Sequence, residues 1–434
     1  MAVTAVRPPI EVGCGLSSRA AAEAYIGGVC FKQGPPALIG AELEWLTAHG
    51  ESSAPGPRPE LYELADALGS YAPRSISPES PALPLPGGSR VTIEPGGQIE
   101  LSSAPFGTAT ELCERLRADT RLLEHLLESR SIRIISAAAD GVRQPRRLLQ
   151  LPRYRAMERA FAGIGPFGKL MMCNTAATQV SVDAGADRAE VSVRWGVLYA
   201  IGPALLAAFA CSPDLHGVPA GAWASQRMRA WLRLDHARTR PPVRHWSDPV
   251  ADYARWALDV PLLCVRGPDE TTDWAAPPGA TFADWLCGAL DDEVGRRPDL
   301  ADLDYHLTTM FPPVRASGHL EVRYVDAQPG DGWTVPIHAV EALMSTPAAV
   351  AEATRVAAPV ADRWLEAARC GLADLEIRSA AVALLELAQA HAVTPVAARE
   401  LGAAAHRCRS GRMPTGERAR CADIDGPTGA NAER

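Results

Sequence analysis

Acidic and polar side chains recur at every second position in four short segments that the sequence predicts to be β-strands. Side chains two residues apart on a strand point to the same face of a sheet, so each segment gathers its polar residues on one face. These residues are Glu42 and Glu44, Gln98 and Glu100, Gln179, Ser181 and Asp183, and Glu321 and Arg323. The alternate residues are apolar, namely Leu43, Ile99, Val180, Val182, Leu320 and Val322. The pattern predicts a sheet with an apolar back and a front rich in carboxylates.

What such a front can do depends on what balances its negative charge. For one strand alone, the simplest explanation is a solvent-facing surface with ordinary charges. Four strands that gather this many carboxylates instead favour bound cations, and an all-oxygen ligand set selects hard ions such as Mg²⁺. Arg323 on the same face offers a fork for a phosphoryl group in transfer. The spacing alone therefore predicts magnesium-dependent phosphoryl chemistry on an antiparallel sheet.

The elements that must position these residues alternate irregularly along the chain. Strand patterns cover residues 35–48, 89–105 (a hairpin around the turn at 94–97), 131–138, 175–185 and 318–328. Helix patterns cover residues 17–33, 59–69, 108–130, 152–163 and most of 335–406. A hairpin without regular βαβ alternation predicts an α+β fold with an antiparallel sheet. We expect one domain over residues 1–409, with a mainly helical part at 335–406, and a disordered tail over 410–434.

Composition excludes several classes of protein. The 434-residue chain has 43 basic and 51 acidic residues and a net charge of −8, so no nucleic-acid partner is expected. Every basic residue except Lys32 and Lys169 is an arginine, so an anion clamp must be built from guanidinium groups. The ten cysteines include no CxxC pair, which fits neither a disulfide scaffold nor a structural zinc site. With no signal-peptide pattern, a reducing cytoplasm is expected.

Two segments carry patterns with other possible meanings. The uncharged run between Arg194 and Asp214 approaches the length of a membrane span, but Gly196, Gly202 and Pro203 interrupt it, so a buried helix is expected and no membrane contact. GIGPFG at 163–168 matches a nucleotide-binding glycine pattern. That motif requires a strand before the glycines, whereas a helix pattern leads in here, which favours a simple turn between a helix and a strand.

At the acidic strands the sequence resembles the glutamate–cysteine ligases, in the branch shared by plants and actinobacteria, and most of all the actinobacterial ligases of ergothioneine biosynthesis. The similar segments run from about residue 40 to 328 in family order: GAELEW, GGQIELSSAP, RYRAM, MMCNTAATQVSVD, SQRMRAWLRLDHARTR, DYARWALDVPLL and HLEVRYVD. The resemblance implies a curved antiparallel sheet of the glutamine synthetase/guanido kinase type, surrounded by helices. It also implies a catalytic domain that uses ATP and Mg²⁺ to join L-glutamate to L-cysteine through a γ-glutamyl phosphate, giving γ-glutamylcysteine, ADP and phosphate.

The same resemblance implies roles for individual residues. Magnesium ions would be held by Glu42, Glu44, Glu100 and Glu321. Arg323 and Glu321 would be catalytic, with Arg323 stabilising charge on the moving phosphoryl group.

The substrate contacts follow from the same matching segments. Arg227 would bind glutamate, and Thr175 and Gln179 would line the amino-acid pocket. Arg153 and Arg238, with Asp235, would contact substrates or support residues that do, a surface salt bridge being the alternative. Trp231, Cys173 and Cys211 are expected in the core, and no cysteine pair stands out as the redox switch of the plant enzymes.

Two departures from the plant pattern concern the acceptor pocket: Arg240 stands where glycine is usual, and YVDAQ follows Arg323 in place of a glycine-rich turn.

Two alternative functions remain open: an ATP-dependent carboxylate–amine ligase with another amine acceptor, and a non-catalytic ATP-binding regulator. The expected assembly is a monomer or a weak homodimer.

Overall fold

The chain folds around one antiparallel sheet. The computed structural model describes residues 16–416 except 17, 51–55, 242 and 270. Within these residues the strands are Ile39–His49 (β1), Arg90–Ile93 (β2), Ile99–Ser102 (β3), Ile132–Ile135 (β4), Ala177–Val182 (β5), Val314–Ala316 (β6) and Leu320–Asp326 (β7). Their order is β2-β3-β1-β5-β7-β6, and β4 pairs with the end of β1. The predicted antiparallel α+β architecture is confirmed.

Helices surround the sheet on both faces. Within the described residues they are Arg19–Cys30 (α1), Leu61–Leu68 (α2), Ala109–Glu128 (α3), Pro152–Ala162 (α4), Phe167–Asn174 (α5), Arg188–Ala200 (α6), Gly202–Phe209 (α7), Gln226–Leu234 (α8), His236–Thr239 (α9), Pro249–Asp259 (α10), Phe282–Cys287 (α11), Asp291–Val294 (α12), Leu300–Leu307 (α13), Thr334–Leu343 (α14), Pro347–Ala357 (α15), Trp364–Cys370 (α16), Leu375–Ala390 (α17) and Pro395–Arg409 (α18). The predicted helical character of 335–406 is thereby confirmed. Most of the predicted tail, residues 417–434, lies outside the described residues.

Strand register places the acidic residues side by side. Glu44 on β1 lies opposite Glu100 on β3, and Glu42 lies opposite Gln179 on β5. Farther along the same face, Glu321 on β7 pairs with residues of both neighbouring strands, β5 and β6. Since directly opposed residues share a face, the predicted polar front is continuous across five strands.

A bulge interrupts the pairing of β7 with β5. Thr178 lies opposite Val325, whereas Val180 lies opposite Val322, so β7 has one extra residue in this interval. Strict alternation from Glu321 would send Asp326 to the back of the sheet. Because the bulge adds a residue, Asp326 lies opposite Ala177 on the front instead.

The back of the sheet packs under helices as an apolar layer. Leu43, Ile99 and Val180 are buried, and α7 and α14 pack against β7 and β5. The Tyr324 hydroxyl donates to the carbonyl of Leu198 in α6 at 3.1 Å. The front is also covered, by α4, α5 and α8, and this coverage buries the acidic residues.

The long uncharged run is two helices and not the single helix predicted. Helices α6 and α7 meet at Ile201 with a bend of 43°, where Gly202 and Pro203 begin the second helix. No single described helix is long and apolar enough to cross a membrane, although the two helices of this bent pair together have sufficient length and apolar composition.

The glycine-containing segment GIGPFG forms the predicted turn after α4. Its last two residues begin helix α5, so the expectation that a strand follows the turn directly was wrong.

Among the described residues, the cysteines follow the expectation of a reduced chain except at Cys370. Cys173 and Cys211 are free and buried, as predicted. Cys370, at the end of α16, is disulfide-bonded. The expectation of reduced cysteines was therefore wrong at this position, because spacing along the chain gives no information about which thiols the fold brings together.

One buried histidine gives a pH-dependent contribution to stability. His306 in α13 bonds the carbonyl of Ala257 at 2.8 Å and packs on Phe282, and burial lowers its pKa to about 3. In the folded protein the His306 imidazole stays neutral, whereas in the unfolded chain it is protonated below about pH 6.5. The contribution of His306 to the free energy of unfolding is therefore present at neutral pH and is lost as the pH falls. We expect His306→Gln to remove about 2 kcal/mol of the stability loss between pH 7 and pH 5. Urea unfolding at both pH values measures it, and an equal loss in the two proteins would contradict it.

Candidate active site

Three carboxylates form the centre of the polar front. Glu100 is fully buried, and Glu42 and Glu44 lie on the neighbouring strand β1. The amide of Gln179 donates to Glu42 Oε2 at 3.1 Å and to Glu44 Oε1 at 3.0 Å. The Thr92 hydroxyl donates to Glu100 Oε1 at 2.6 Å. The three side chains are therefore held by neutral donors.

Burial and mutual repulsion raise the pKa values of Glu42 and Glu44. Burial, followed by repulsion from Glu100 and Glu321, raises the pKa of Glu42 to about 8. Burial and repulsion from Glu100 and Glu94 likewise raise the pKa of Glu44 to about 8. A bound cation would offset both effects, so these side chains are suited to binding positive charge.

Glu321 has a different environment. It lies between two arginines: Arg315 Nε donates to Oε2 at 2.7 Å, and Arg323 Nη1 donates to Oε1 at 2.6 Å. Burial favours the neutral carboxyl, but the two guanidinium groups outweigh it and hold the pKa at about 2. Glu321 is thus ionised and paired, and its predicted role as a metal ligand stays a prediction.

A cavity opens above the polar front, bounded by α4, α5, α8 and the turn before β3. It brings together seven of the predicted site residues: Glu44, Glu100, Arg153, Thr175, Gln179, Arg227 and Arg323. Glu94, Gln98 and Tyr154 also line it, and apolar side chains form the rest of the wall: Pro95, Met157, Met171, Met172, Trp231 and Phe311. We call this space the front cavity. It combines carboxylates, guanidinium groups and an apolar wall, as a site for charged small molecules requires.

Arg227 and Arg323 both lie against one aromatic ring. Their guanidinium carbons are 5.5 and 5.2 Å from the centre of the Trp231 ring. Arg227 Nη2 donates to the carbonyl of Arg323 at 2.8 Å, while Arg323 Nε is buried without a hydrogen-bond partner among the described residues. Trp231 is buried, as predicted, yet it also lines the front cavity.

Of the other predicted substrate residues, Thr175 and Arg153 line the front cavity and Arg238 does not. Thr175 lines the cavity but donates its hydroxyl to the Met171 carbonyl at 2.7 Å. Arg153 also lines it, and its guanidinium donates to the side chain and backbone of Thr308.

Arg238 does not line the cavity. It is fully buried and donates to Thr309 and Asp235, and burial lowers its pKa to about 10. Its contacts join α9 to the residues before β6, so Arg238 makes neither a cavity contact nor a surface salt bridge, and its predicted support of the substrate site stays a prediction.

Sequence reasoning missed four residues around the front cavity. Glu94 and Tyr154 line it, Arg315 pairs with Glu321, and Asp326 lies beside Arg227. Arg315 carried a usable signal, because it stands between the apolar residues Val314 and Ala316 in the pattern that identified the other strands. Asp326 carried none, since the bulge in β7 reverses its expected face.

The carboxylate oxygens of the polar front are the type of ligand that a hard divalent cation binds. Glu42, Glu44 and Glu100 are adjacent oxygen donors, which Mg²⁺ prefers, and a bound cation would offset the burial and repulsion that raise the pKa of Glu42 and Glu44. Among the described residues, however, no three His, Cys, Asp or Glu side chains are arranged as a ready-made metal site. Hydrogen bonds to neutral neighbours hold these carboxylates instead.

Comparison with known proteins agrees with this site. Residues 38–424 match the model of glutamate–cysteine ligase family 2. The chain is 37% identical over 388 residues to glutamate–cysteine ligase EgtA of Mycolicibacterium smegmatis, covering 87% of this chain and 86% of that protein. It is 32% identical over 243 residues to the chloroplastic glutamate–cysteine ligase of Medicago truncatula, covering 55% and 47%. A crystal structure of the glutamate–cysteine ligase of Francisella tularensis shares the fold, with a TM-score of 0.52 at 12% identity over 88% of this chain and 84% of that one.

Proposed function

The chain belongs to glutamate–cysteine ligase family 2 and is an ATP-dependent ligase, and from this premise we propose that the front cavity joins L-glutamate to L-cysteine. The γ-carboxylate of glutamate would attack the γ-phosphorus of ATP, giving γ-glutamyl phosphate and ADP. The amine of cysteine would then attack the acyl carbon, release phosphate, lose a proton and leave γ-glutamylcysteine. Phosphorylation is needed because a free carboxylate has a poor leaving group.

The observation that carries this proposal is the meeting of two kinds of charge in one buried space. Glu44 and Glu100 line the front cavity together with Arg227 and Arg323. The reaction must bring together a carboxylate and a triphosphate, which repel each other. Guanidinium groups bind such anions through paired hydrogen bonds, and carboxylates bind their metal counter-ions.

We assign the roles accordingly. Glu42, Glu44, Glu100 and Glu321 are the side chains that would hold Mg²⁺, which supplies charge neutralisation and alignment of the phosphates when it is bound. Arg323 has a buried Nε that is free to donate to the phosphoryl group in transfer. Arg227 binds a carboxylate of glutamate, and Gln179 and Thr175 line the pocket beside it. The cytoplasmic location and the monomeric or weakly dimeric state stay predictions.

Phosphate release by the purified protein tests the proposal. We expect release from ATP and Mg²⁺ only when glutamate and cysteine are both present, with mass spectrometry identifying γ-glutamylcysteine. A panel with alanine, serine and other amines in place of cysteine tests acceptor choice, which depends on small differences in pocket contacts. Faster release with another amine would favour the alternative ligase, and ATP binding without release under any condition would favour the regulator.

Arg227→Ala is expected to raise the KM for glutamate by about 50-fold or more, while kcat falls by less than about tenfold. A lost charge-assisted hydrogen bond to a buried carboxylate costs roughly 2–3 kcal/mol of binding free energy. Steady-state rates with glutamate varied at saturating ATP and cysteine measure the effect. Arg229→Ala is the matched control, because this buried arginine on the same helix contacts Pro219 and Trp223 and does not line the front cavity. An unchanged glutamate KM in Arg227→Ala would contradict the assignment.

A further inference from the structure

The carboxylate of Asp326 is buried behind the front cavity and has no role in the chemistry described above. Its side chain is 1% exposed and does not line the cavity. The hydroxyls of Ser212 and Ser225 donate to it at 2.7 and 2.9 Å, and the backbone N–H of Cys211 donates at 3.0 Å. Three donors from the segment before α8 therefore fix this carboxylate in one orientation.

Asp326 lies next to the arginine that we assign to glutamate. Arg227 Nη1 is 3.7 Å from Asp326 Oδ1, and Arg227 is itself almost fully buried. Ser212 links the two residues a second time, because its hydroxyl accepts from the backbone N–H of Arg227 at 3.3 Å. A buried guanidinium requires a nearby anion, and Asp326 is the carboxylate that ion-pairs with it within the described part of the chain.

The bulge in β7 makes this arrangement possible. It brings Asp326 to the front of the sheet, on the same face as Arg323, whose carbonyl accepts from Arg227 Nη2. Arg227 is thus held from behind by a carboxylate and a carbonyl of the same strand. Bulges commonly redirect a side chain next to an active site.

We propose that Asp326 is a positioning residue, which holds the Arg227 guanidinium in the orientation that binds glutamate. The proposal rests on the proposed function, since it takes Arg227 to be the glutamate-binding arginine. Asp326 touches no substrate, so its loss acts through Arg227 on glutamate affinity and leaves ATP binding unaffected.

Asp326→Asn tests the proposal, because it removes the charge and keeps the shape. We expect the glutamate KM to rise about tenfold, with the ATP KM within twofold of wild type and kcat reduced by less than about fivefold. Asp119→Asn is the matched control: Asp119 is equally buried and accepts from the backbone N–H groups of Gly87 and Ser89, away from the cavity. Its glutamate KM is expected to stay within twofold of wild type.

A double-variant cycle separates positioning from a general structural effect. Once Arg227 is alanine there is nothing left to position, so adding Asp326→Asn is expected to change the glutamate KM by less than twofold. If Asp326 had only a structural role, the rises in glutamate KM caused by the two substitutions would multiply, because independent effects add in free energy. Multiplied effects, an equal rise in the ATP KM, or an unchanged glutamate KM in folded Asp326→Asn would each overturn the proposal.

Circular dichroism establishes whether Asp326→Asn is folded. If it is not, Ser212→Ala decides, since it removes one donor to Asp326 and keeps the charge: a two- to fourfold rise in glutamate KM supports the proposal, and an unchanged KM overturns it. A wild-type protein that releases no phosphate with glutamate and cysteine contradicts the proposed function and, with it, this role. An active wild type whose Asp326 variant keeps its glutamate KM overturns only the role of Asp326.

Discussion

Replacing Arg323 by methionine is expected to lower kcat by about 1,000-fold or more, with a change of less than about threefold in the glutamate KM. An arginine that stabilises the charge of a phosphoryl group in transfer contributes about 10³–10⁵-fold to kcat in related chemistry. Arg323 is placed for this role because one nitrogen is anchored to Glu321 while its buried Nε is free to donate. Rates of phosphate release at saturating ATP, glutamate and cysteine measure the effect.

Two further variants sharpen this test. Arg323→Lys keeps the charge but cannot reproduce the fork, so we expect kcat to lie between wild type and Arg323→Met. Arg229→Met removes another buried arginine outside the front cavity and is expected to keep kcat within about threefold of wild type. If folded Arg323→Met kept kcat within tenfold of wild type, Arg323 would not stabilise the transferring group.

Alternation of polar and apolar residues was enough to predict the polar front. Glu44 and Glu100 share a face because both strands keep strict alternation up to their pairing. The apolar alternates Leu43 and Ile99 are buried on the back, as predicted. This worked because a one-residue slip would expose the whole apolar set, so burial of one face fixes the register.

The parts that sequence could not predict depend on long-range packing. Alternation does not reveal that α4, α5 and α8 cover the front and bury its carboxylates. Nor does it reveal the bulge that turns Asp326 toward Arg227. Arg238 matched a family segment, yet its guanidinium packs against Thr309 and Asp235, because position in a motif does not determine which neighbours a side chain meets.

The pairing of Glu321 was also outside the reach of sequence. Its neighbour Arg315 is near in sequence, but the contact requires β6 and β7 to pair in one register. Glu321 was predicted as a metal ligand because carboxylates gather on its face. In the structure the nearest positive charges are the guanidinium groups of Arg315 and Arg323, so two different roles for this carboxylate must be separated by experiment.

Glu321→Gln is expected to lower kcat by about 100-fold or more, whichever role is correct, because it removes a charge that either binds Mg²⁺ or fixes Arg323. The Mg²⁺ dependence separates the two roles. A metal ligand predicts that the Mg²⁺ concentration for half-maximal rate rises by about tenfold or more and that added Mg²⁺ restores part of the activity. A role confined to holding Arg323 predicts an unchanged Mg²⁺ dependence. Near-normal activity would remove Glu321 from the site altogether.

Stability supplies an independent check on the ion pairs of Glu321. Because Arg315 and Arg323 outweigh burial and hold its pKa at about 2, the charged carboxylate stabilises the folded protein above its ordinary pKa near 4.5, and this stabilisation is lost as pH falls toward 2. Removing one member of a buried pair costs on the order of 3 kcal/mol. The melting temperature of Glu321→Gln should therefore fall well below that of wild type at pH 7, and the gap should narrow by pH 3. A gap independent of pH would mean that the two guanidinium groups do not hold this carboxylate in its charged form.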